Sequence, residues 1–495
     1  MFIPHPLLQS ILIPLIVAIV IAIVGKKLKE IAGWISCGAL IYSTIILIVV
    51  GMKIWVNPTP IYEEYMWSEL AGLKFGLLAD GLSLPVALTA NLICAACAAY
   101  SIPYIRHRIE LIYGNDDWGL YRFYFALYIF FAIGFTGISL STNLIEMYLF
   151  VELVLIPFYF LMDLFGYIDR HRIAIMCFIW SHISAALFLI GAVLAYVKTG
   201  SFEVSALSSL TGMDALLICF FILVGWLVKM AVFGFHVWVP WVHAEHPTCI
   251  AAILATIVGL GNYVIVRLLV QHLFMIFKIF SIPLMIWALI TMIYGAFLTL
   301  AQDDVKRLCA CSTISQNAYS LLGIASCTAL GVVGGVFYFI SHIIGKCILF
   351  SVAGILVYRT GVRDMKRLGG LAGKMPLTAA LFVIGAMILS AIPPLSGFQA
   401  EWIMFVGIFR QGFQGSVIGL LVAIIGIFAT FLTLIYTFWP IKRIFFGPLP
   451  DELKNVKKAP LVMTIPLLIL AILSIILGIY PDILMKFLNS AISIS

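Results

Sequence analysis

The chain has 495 residues, 63% of them hydrophobic and 10% charged, with a mean hydropathy of +1.15. A soluble domain carries about 25% charged residues, so no water-soluble fold can hide this much apolar surface. The composition is that of a membrane protein; it excludes globular enzymes, nucleic-acid binders and disordered chains, despite a net charge of +7.

Runs of about 20 mostly apolar residues mark membrane-spanning helices. Fourteen such runs are separated by charged or Pro/Gly-rich breaks: 8–25, 31–52, 80–102, 120–141, 143–165, 172–197, 214–235, 248–272, 276–300, 304–326, 331–358, 377–405, 416–440 and 459–482. The first lacks a basic leader and a small-residue cleavage site, so it reads as a retained span. Basic residues alternate between loops: those after odd-numbered spans hold 20 of the 29 Lys and Arg, those after even-numbered spans 5. The positive-inside rule then places both termini on the outer side of a multi-pass cell-membrane protein. The longest connections, around 53–79, 103–119 and 441–458, are expected to form only short caps. The expected organisation is three N-terminal spans (1–119), two five-helix units (120–272 and 273–440) and a C-terminal span (441–495).

Ionisable side chains inside spans are costly and mark ion or proton routes when they face the protein interior. Glu146 and Glu152 lie in the fifth span, His182 in the sixth, Lys229 in the seventh, Arg267 in the eighth, His342 and Lys346 in the eleventh and Glu401 in the twelfth. Each could instead be an ion pair that fixes helix packing, or a side chain that snorkels to the interface. Glu152 and Lys229 are too deep to snorkel; facing each other, they would hold one another ionised and could relay a proton on separation. Glu146 projects from a different face than Glu152. His342 and Lys346, four residues apart, share one face and could pass protons through water.

Helix breakers interrupt two spans at mid-depth. The seventh runs from Lys229 through Phe235-His-Val-Trp-Val-Pro240, and the twelfth holds Ile392-Pro-Pro-Leu-Ser-Gly397 shortly before Glu401. Broken helices at corresponding positions of two halves point to inverted repeats. Here spans four to eight would repeat as nine to thirteen, with Lys229 and Glu401 as paired positions. The expected fold is all-α, fourteen transmembrane helices with two inverted five-helix repeats and broken helices 7 and 12.

Several segments, taken together in order, resemble the antiporter-like membrane subunits of respiratory complex I. They are Asp80-Gly-Leu-Ser-Leu-Pro85, Glu152-Leu-Val-Leu-Ile-Pro157, the Lys229 to Pro240 stretch with His236, Asp304-Val-Lys-Arg307 with Lys306, Ser312-Thr-Ile-Ser315, Ser341-His-Ile-Ile-Gly-Lys346 and Pro394-Leu-Ser-Gly-Phe398 to Glu401. A glutamate at 401 looks most like the M-type, or chain 4, member. The resemblance implies a proton-translocating subunit driven by electron transfer in other subunits. Glu152 and Lys229 would be its Glu/Lys pair, Glu401 the end of the proton axis, and His342 and Lys346 the lining of the second half. It also implies neighbouring antiporter-like subunits, small subunits and a quinone-site subunit as partners in the bilayer, with no nucleic acid.

Some positions depart from the family pattern. Gly259 stands where a lysine is usual, four residues before Tyr263, so the central relay is missing; water beside Gly259, or His182 or Lys346, would replace it. Ala231 and Gly234 replace prolines near the first break, which would then rest on glycine flexibility. Trp241 replaces an aspartate and Gln316 a histidine. These differences suggest a distant branch, an archaeal complex fed by a reduced deazaflavin with a membrane-soluble phenazine in place of a quinone. The rival reading is a subunit of a multisubunit sodium/proton antiporter, with the same fold and Glu/Lys pair; a second is a scaffold whose buried charges are structural. The ten cysteines, including Cys94/Cys97 and Cys309/Cys311, lack the paired spacing of a metal or cluster site and read as small buried hydrophobes. No cofactor and no metal is expected in the chain.

Overall fold

Apolar runs of this length satisfy their backbone groups internally, which hydrocarbon demands, and the computed structural model, which describes residues 3–69 and 73–492, is built almost wholly of helices. In chain order they are α1 (Pro6–Leu28), α2 (Ile31–Val56), the strands β1 (Ile61–Ser68) and β2 (Leu73–Ala79), α3 (Ser83–Tyr113), α4 (Trp118–Leu140), α5 (Leu144–Phe165), α6 (Arg170–Thr199) and α7 (Gly212–Lys229). There follow α8 (Val239–Glu245), α9 (Thr248–Val264), α10 (Phe274–Phe277), α11 (Ser281–Leu300), α12 (Val305–Ala325) and α13 (Ala329–Thr360). The last are α14 (Pro376–Leu389), α15 (Ser396–Phe413), α16 (Val417–Phe445), α17 (Leu461–Ile479) and α18 (Asp482–Ala491).

Among the described residues, 12 helices are long and apolar enough to cross a membrane. The count of fourteen needs two more: α12, diluted by Lys306, Arg307 and a run of Ser, Thr, Gln and Asn, and the broken pair α14 and α15. Two elements lie outside the sequence reading. The connection after α2 is an antiparallel hairpin, and Glu63 on β1 accepts the Leu7 and Leu8 N–H groups (2.8 and 2.9 Å), tying the hairpin to the start of α1. The short α18 lies beyond the last span and buries Leu484 and Leu488.

Every residue of α9 is buried, and so is α13 from Gly331 to Leu356. These two helices form the centre, so their polar side chains meet protein on all sides. Beyond α9 the helix widens through Ile265–Val270, where Arg267 forms a two-pronged ion pair with Asp80 (2.7 and 2.8 Å). For Arg267 the packing role is therefore the one observed.

The two breaks follow one hydrogen-bond scheme. After α7, the N–H groups of Met230, Ala231 and Val232 reach the carbonyls of Trp226, Val228 and Leu227; after α14, those of Ser390, Ala391 and Ile392 reach Ala386, Ile388 and Met387. Each sequence passes through a left-handed alanine, Ala231 (φ 56°) or Ala391 (φ 51°), a conformation costing an L-residue about 1–2 kcal/mol. The first break thus rests on a strained alanine as well as on Gly234 (φ 95°). This register sets Lys229 opposite Leu389, and Glu401 opposite Trp241. The expected pairing of Lys229 with Glu401 is not found, because Lys229 precedes its break and Glu401 lies within α15, after the other.

Candidate functional site: a buried polar axis

Glu152 lies on α5, and its side chain is 22% exposed. Its ion-pair partner is His182 of α6, with Oε1 and Nδ1 3.4 Å apart, and that imidazole is 54% exposed on the outward side of the helix. Lys229, at the last turn of α7, is 1% exposed, and its ammonium has no hydrogen-bond partner among the described residues. The expected contact pair is therefore separated: no ion pair joins Glu152 to Lys229 within 4.0 Å. His182 takes the glutamate instead, because α6 stands between α5 and α7 in the packing. Glu146 is not on the axis; it accepts the Gly76 N–H of β2 (3.1 Å) and serves the hairpin.

The hydrated gap expected at Gly259 is filled. A Cβ there would lie 2.3 Å from the ring of Phe339 on α13. Polarity crosses this level on other residues: Asn262 donates to Asn317 of α12 (2.7 Å), and Asn317 donates to the carbonyls of Met230 (3.1 Å) and Val258 (3.2 Å). Asn317 thereby satisfies a carbonyl freed by the first break. Neither His182 nor Lys346 fills the missing place.

On α13, Lys346 donates to the Cys309 carbonyl (2.9 Å) and to the Ser312 hydroxyl. His342, one turn earlier, is 2% exposed, with neither ring nitrogen partnered. Sequence reasoning missed two further imidazoles. His243 on α8 and His246 at its end are both 0% exposed, and none of their four ring nitrogens has a partner. They lie past the break, beyond the point where the apolar run of the seventh span was read to stop. Following that span past Pro240 as far as Pro247 would have found them. Buried polar atoms are seldom left unmatched in protein, and such a string of them, with Lys229, fits a line of ordered water.

From His342 the path continues through hydroxyl and amide groups. One turn away, Tyr338 donates to Gln316 Oε1 (2.8 Å), and Gln316 donates to Tyr436 (2.7 Å); Tyr319 meets Thr433 (3.0 Å). Gln316, which replaces the usual histidine, is thus the hub between α12, α13 and α16. Glu401 lies on α15, which packs against both α13 and α16 beside this cluster.

Two secondary candidates lie elsewhere. His236 accepts the Gly234 N–H (3.2 Å) at Nδ1 and meets the Tyr294 hydroxyl (3.3 Å) beside an open cavity of about 280 Å³, off the axis. Its observed part is to support the break. Lys306, 0% exposed, donates to the His246 carbonyl (2.6 Å) and sits 3.8 Å from the centre of the Tyr167 ring. All ten cysteines are free and buried.

The chain is similar in sequence and fold to known proteins. A family described as NADH:quinone oxidoreductase/Mrp antiporter, TM, matches residues 141–433, more than half of the chain. NADH-quinone oxidoreductase subunit M of Rickettsia felis is 30% identical over 425 residues, covering 83% of this chain and 81% of the relative. NAD(P)H-quinone oxidoreductase chain 4 1 of a Nostoc species is 29% identical over 498 residues, 97% and 89% of the two chains. In fold, a chain of the Mrp complex from a Dietzia species superposes with a TM-score of 0.87 at 20% identity, covering 99% of this chain and 97% of that one. A chain of respiratory complex I from Thermus thermophilus gives 0.83 at 20% identity, over 99% and 100%. Matched by this family model over more than half of its length, and 30% identical to a relative across most of both chains, the chain belongs to the NADH:quinone oxidoreductase/Mrp antiporter family of membrane proteins.

Proposed function

We propose that this chain is the proton-translocating membrane subunit of a complex I-like respiratory oxidoreductase, of the M or chain 4 kind. Protons move along Glu152, Lys229, Lys346, His342 and Glu401, driven by electron transfer in other subunits. The observation that carries this reading is the line of buried ionisable side chains whose nitrogens have no protein partner: Lys229, His243, His246 and His342. Fixed structural charges would be matched to opposite charges, as Arg267 is to Asp80. Groups left to water can change protonation without breaking the fold. The chain itself carries no redox group in this reading, since its sequence holds no nucleotide-binding loop or cluster spacing.

The outward Glu152 and His182 pair supports the partner assignment. Half-exposed polar groups at mid-span cannot face lipid cheaply, so a neighbouring membrane subunit covers α5 and α6 there. The excess of basic residues in loops after odd-numbered spans supports termini on the outer side.

The Mrp likeness in fold keeps sodium/proton exchange as the second reading. Three of the five groups of the axis are lysine or histidine, which carry protons, and a lysine ammonium repels sodium, so the axis favours protons. The test is ion uptake into sealed vesicles holding the intact complex, with and without sodium. Proton uptake should follow electron transfer and persist in sodium-free buffer. Exchange that runs without electron transfer and requires sodium would establish the antiporter reading instead.

A further inference from the structure

We propose that His246 carries protons in a side branch that leaves the axis at Lys346, passes His243 and reaches the membrane face bearing residues 302–304 and 361–366. The proposal rests on the proton axis described above and adds its point of access.

The branch is ordered in space. His243 and His246 lie three residues apart at the end of α8, and the His243 ring meets that of Phe350 on α13, one turn beyond Lys346, with centroids 5.7 Å apart. His246 ends α8: its N–H bonds to the Val242 carbonyl (3.0 Å), and Pro247 follows. Its ring lies flat on Phe158 of α5, centroids 4.6 Å apart and planes 4° apart. That contact fixes the ring plane and leaves both nitrogen edges free, which a purely packing aromatic would not need. Its carbonyl is held by Lys306.

Beyond Lys306 the surroundings open toward solvent. Arg363 pairs with Glu245 (3.3 Å) and with Asp304 (2.8 Å), and these side chains are 20%, 13% and 28% exposed. In this proposal a proton taken up at the ion-pair group passes to His246, whose neighbour Glu245 is part of that group. The charged and titratable groups around that acceptor are Lys306 from α12, Glu245 and His243 from α8, Lys346 from α13, and Arg363 and Asp304 from the loops. No carboxylate pairs directly with the imidazole, so nothing holds it permanently charged. Two nitrogen edges let it accept a proton on one side and release one on the other. An unmatched buried polar atom costs about 1–3 kcal/mol, a cost that a phenylalanine stacked on Phe158 would avoid.

The test compares His246→Phe, His246→Gln and Lys346→Met in the intact complex in sealed vesicles. Assembly, electron transfer with an uncoupler present, and proton uptake against the pH of the loaded side are measured. The Phe variant keeps the stacking and the Gln variant keeps polarity, but neither can carry a proton. Both should assemble and transfer electrons with uptake reduced about 100-fold or more, and the residual uptake should lose the wild-type pH dependence. Wild-type uptake in either His246 variant, with Lys346→Met inactive, overturns the branch and leaves the axis standing. Wild-type uptake in Lys346→Met overturns the axis itself. Failure of both His246 variants to assemble makes the ring structural and overturns the branch.

Discussion

Replacing Lys346 by methionine is expected to abolish electron-driven proton uptake while the complex still assembles. Lys346 lies one turn from His342 on α13 and reaches the Cys309 carbonyl and the Ser312 hydroxyl of α12, so in the proposed route protons entering the second half cross its ammonium. A positioned proton-transfer group is worth about 10²–10⁴ in rate, and no other ionisable side chain on α13 lies within one turn except His342. Stability should barely change. Methionine fills the space of the lysine stem, and the lost hydrogen bonds end on the Cys309 carbonyl and the Ser312 hydroxyl, which sit on a continuous helix and keep local partners. Proton uptake, assembly and thermal unfolding of the purified complex measure the three quantities separately.

Lys229→Met is the second large effect, and its signature is an opposed change in stability. The ammonium is 1% exposed and unpartnered, so the wild type bears the desolvation of a buried charge with no ion pair to offset it. Exchanging buried charges for apolar groups of similar volume is often neutral or stabilising by about 1–4 kcal/mol. Unfolding temperature should therefore hold or rise while proton uptake is lost. A residue kept at a cost to stability is one kept for function. A variant that loses stability and keeps uptake would instead make Lys229 a packing residue, bound to some group that only the assembled complex supplies.

Charges stand out in apolar runs, which is why Glu152, Lys229, His342, Lys346 and Glu401 were legible from residue type and depth alone. What joins them was not. Whether Glu152 touches Lys229 depends on α6, and its His182 looked like one more candidate until it proved to be the glutamate's ion-pair partner. Gly259 read as a gap because a glycine has no side chain; the ring that fills the space belongs to Phe339, far along the chain. The repeat register was hidden as well, since the shared feature of the two breaks is a backbone hydrogen-bond scheme and not a shared charge. His243 and His246 were missed for a related reason: the apolar run ends at the break, although the span continues past it. The β hairpin escaped because its first strand, Ile-Tyr-Glu-Glu-Tyr-Met-Trp-Ser, alternates too weakly to announce a buried face. The membrane class needed none of this, because composition alone decides it.

Proton uptake into sealed vesicles, driven by the electron donor and read per electron transferred, tests the axis most directly when wild type and Glu152→Gln are compared side by side. Glutamine keeps the shape and a polar group beside His182 but cannot take up and release the proton, so an assembled, electron-transferring complex with little or no uptake is expected. Uptake at the wild-type ratio in that variant would contradict a proton route through Glu152 and Lys229, and would move proton translocation to other subunits.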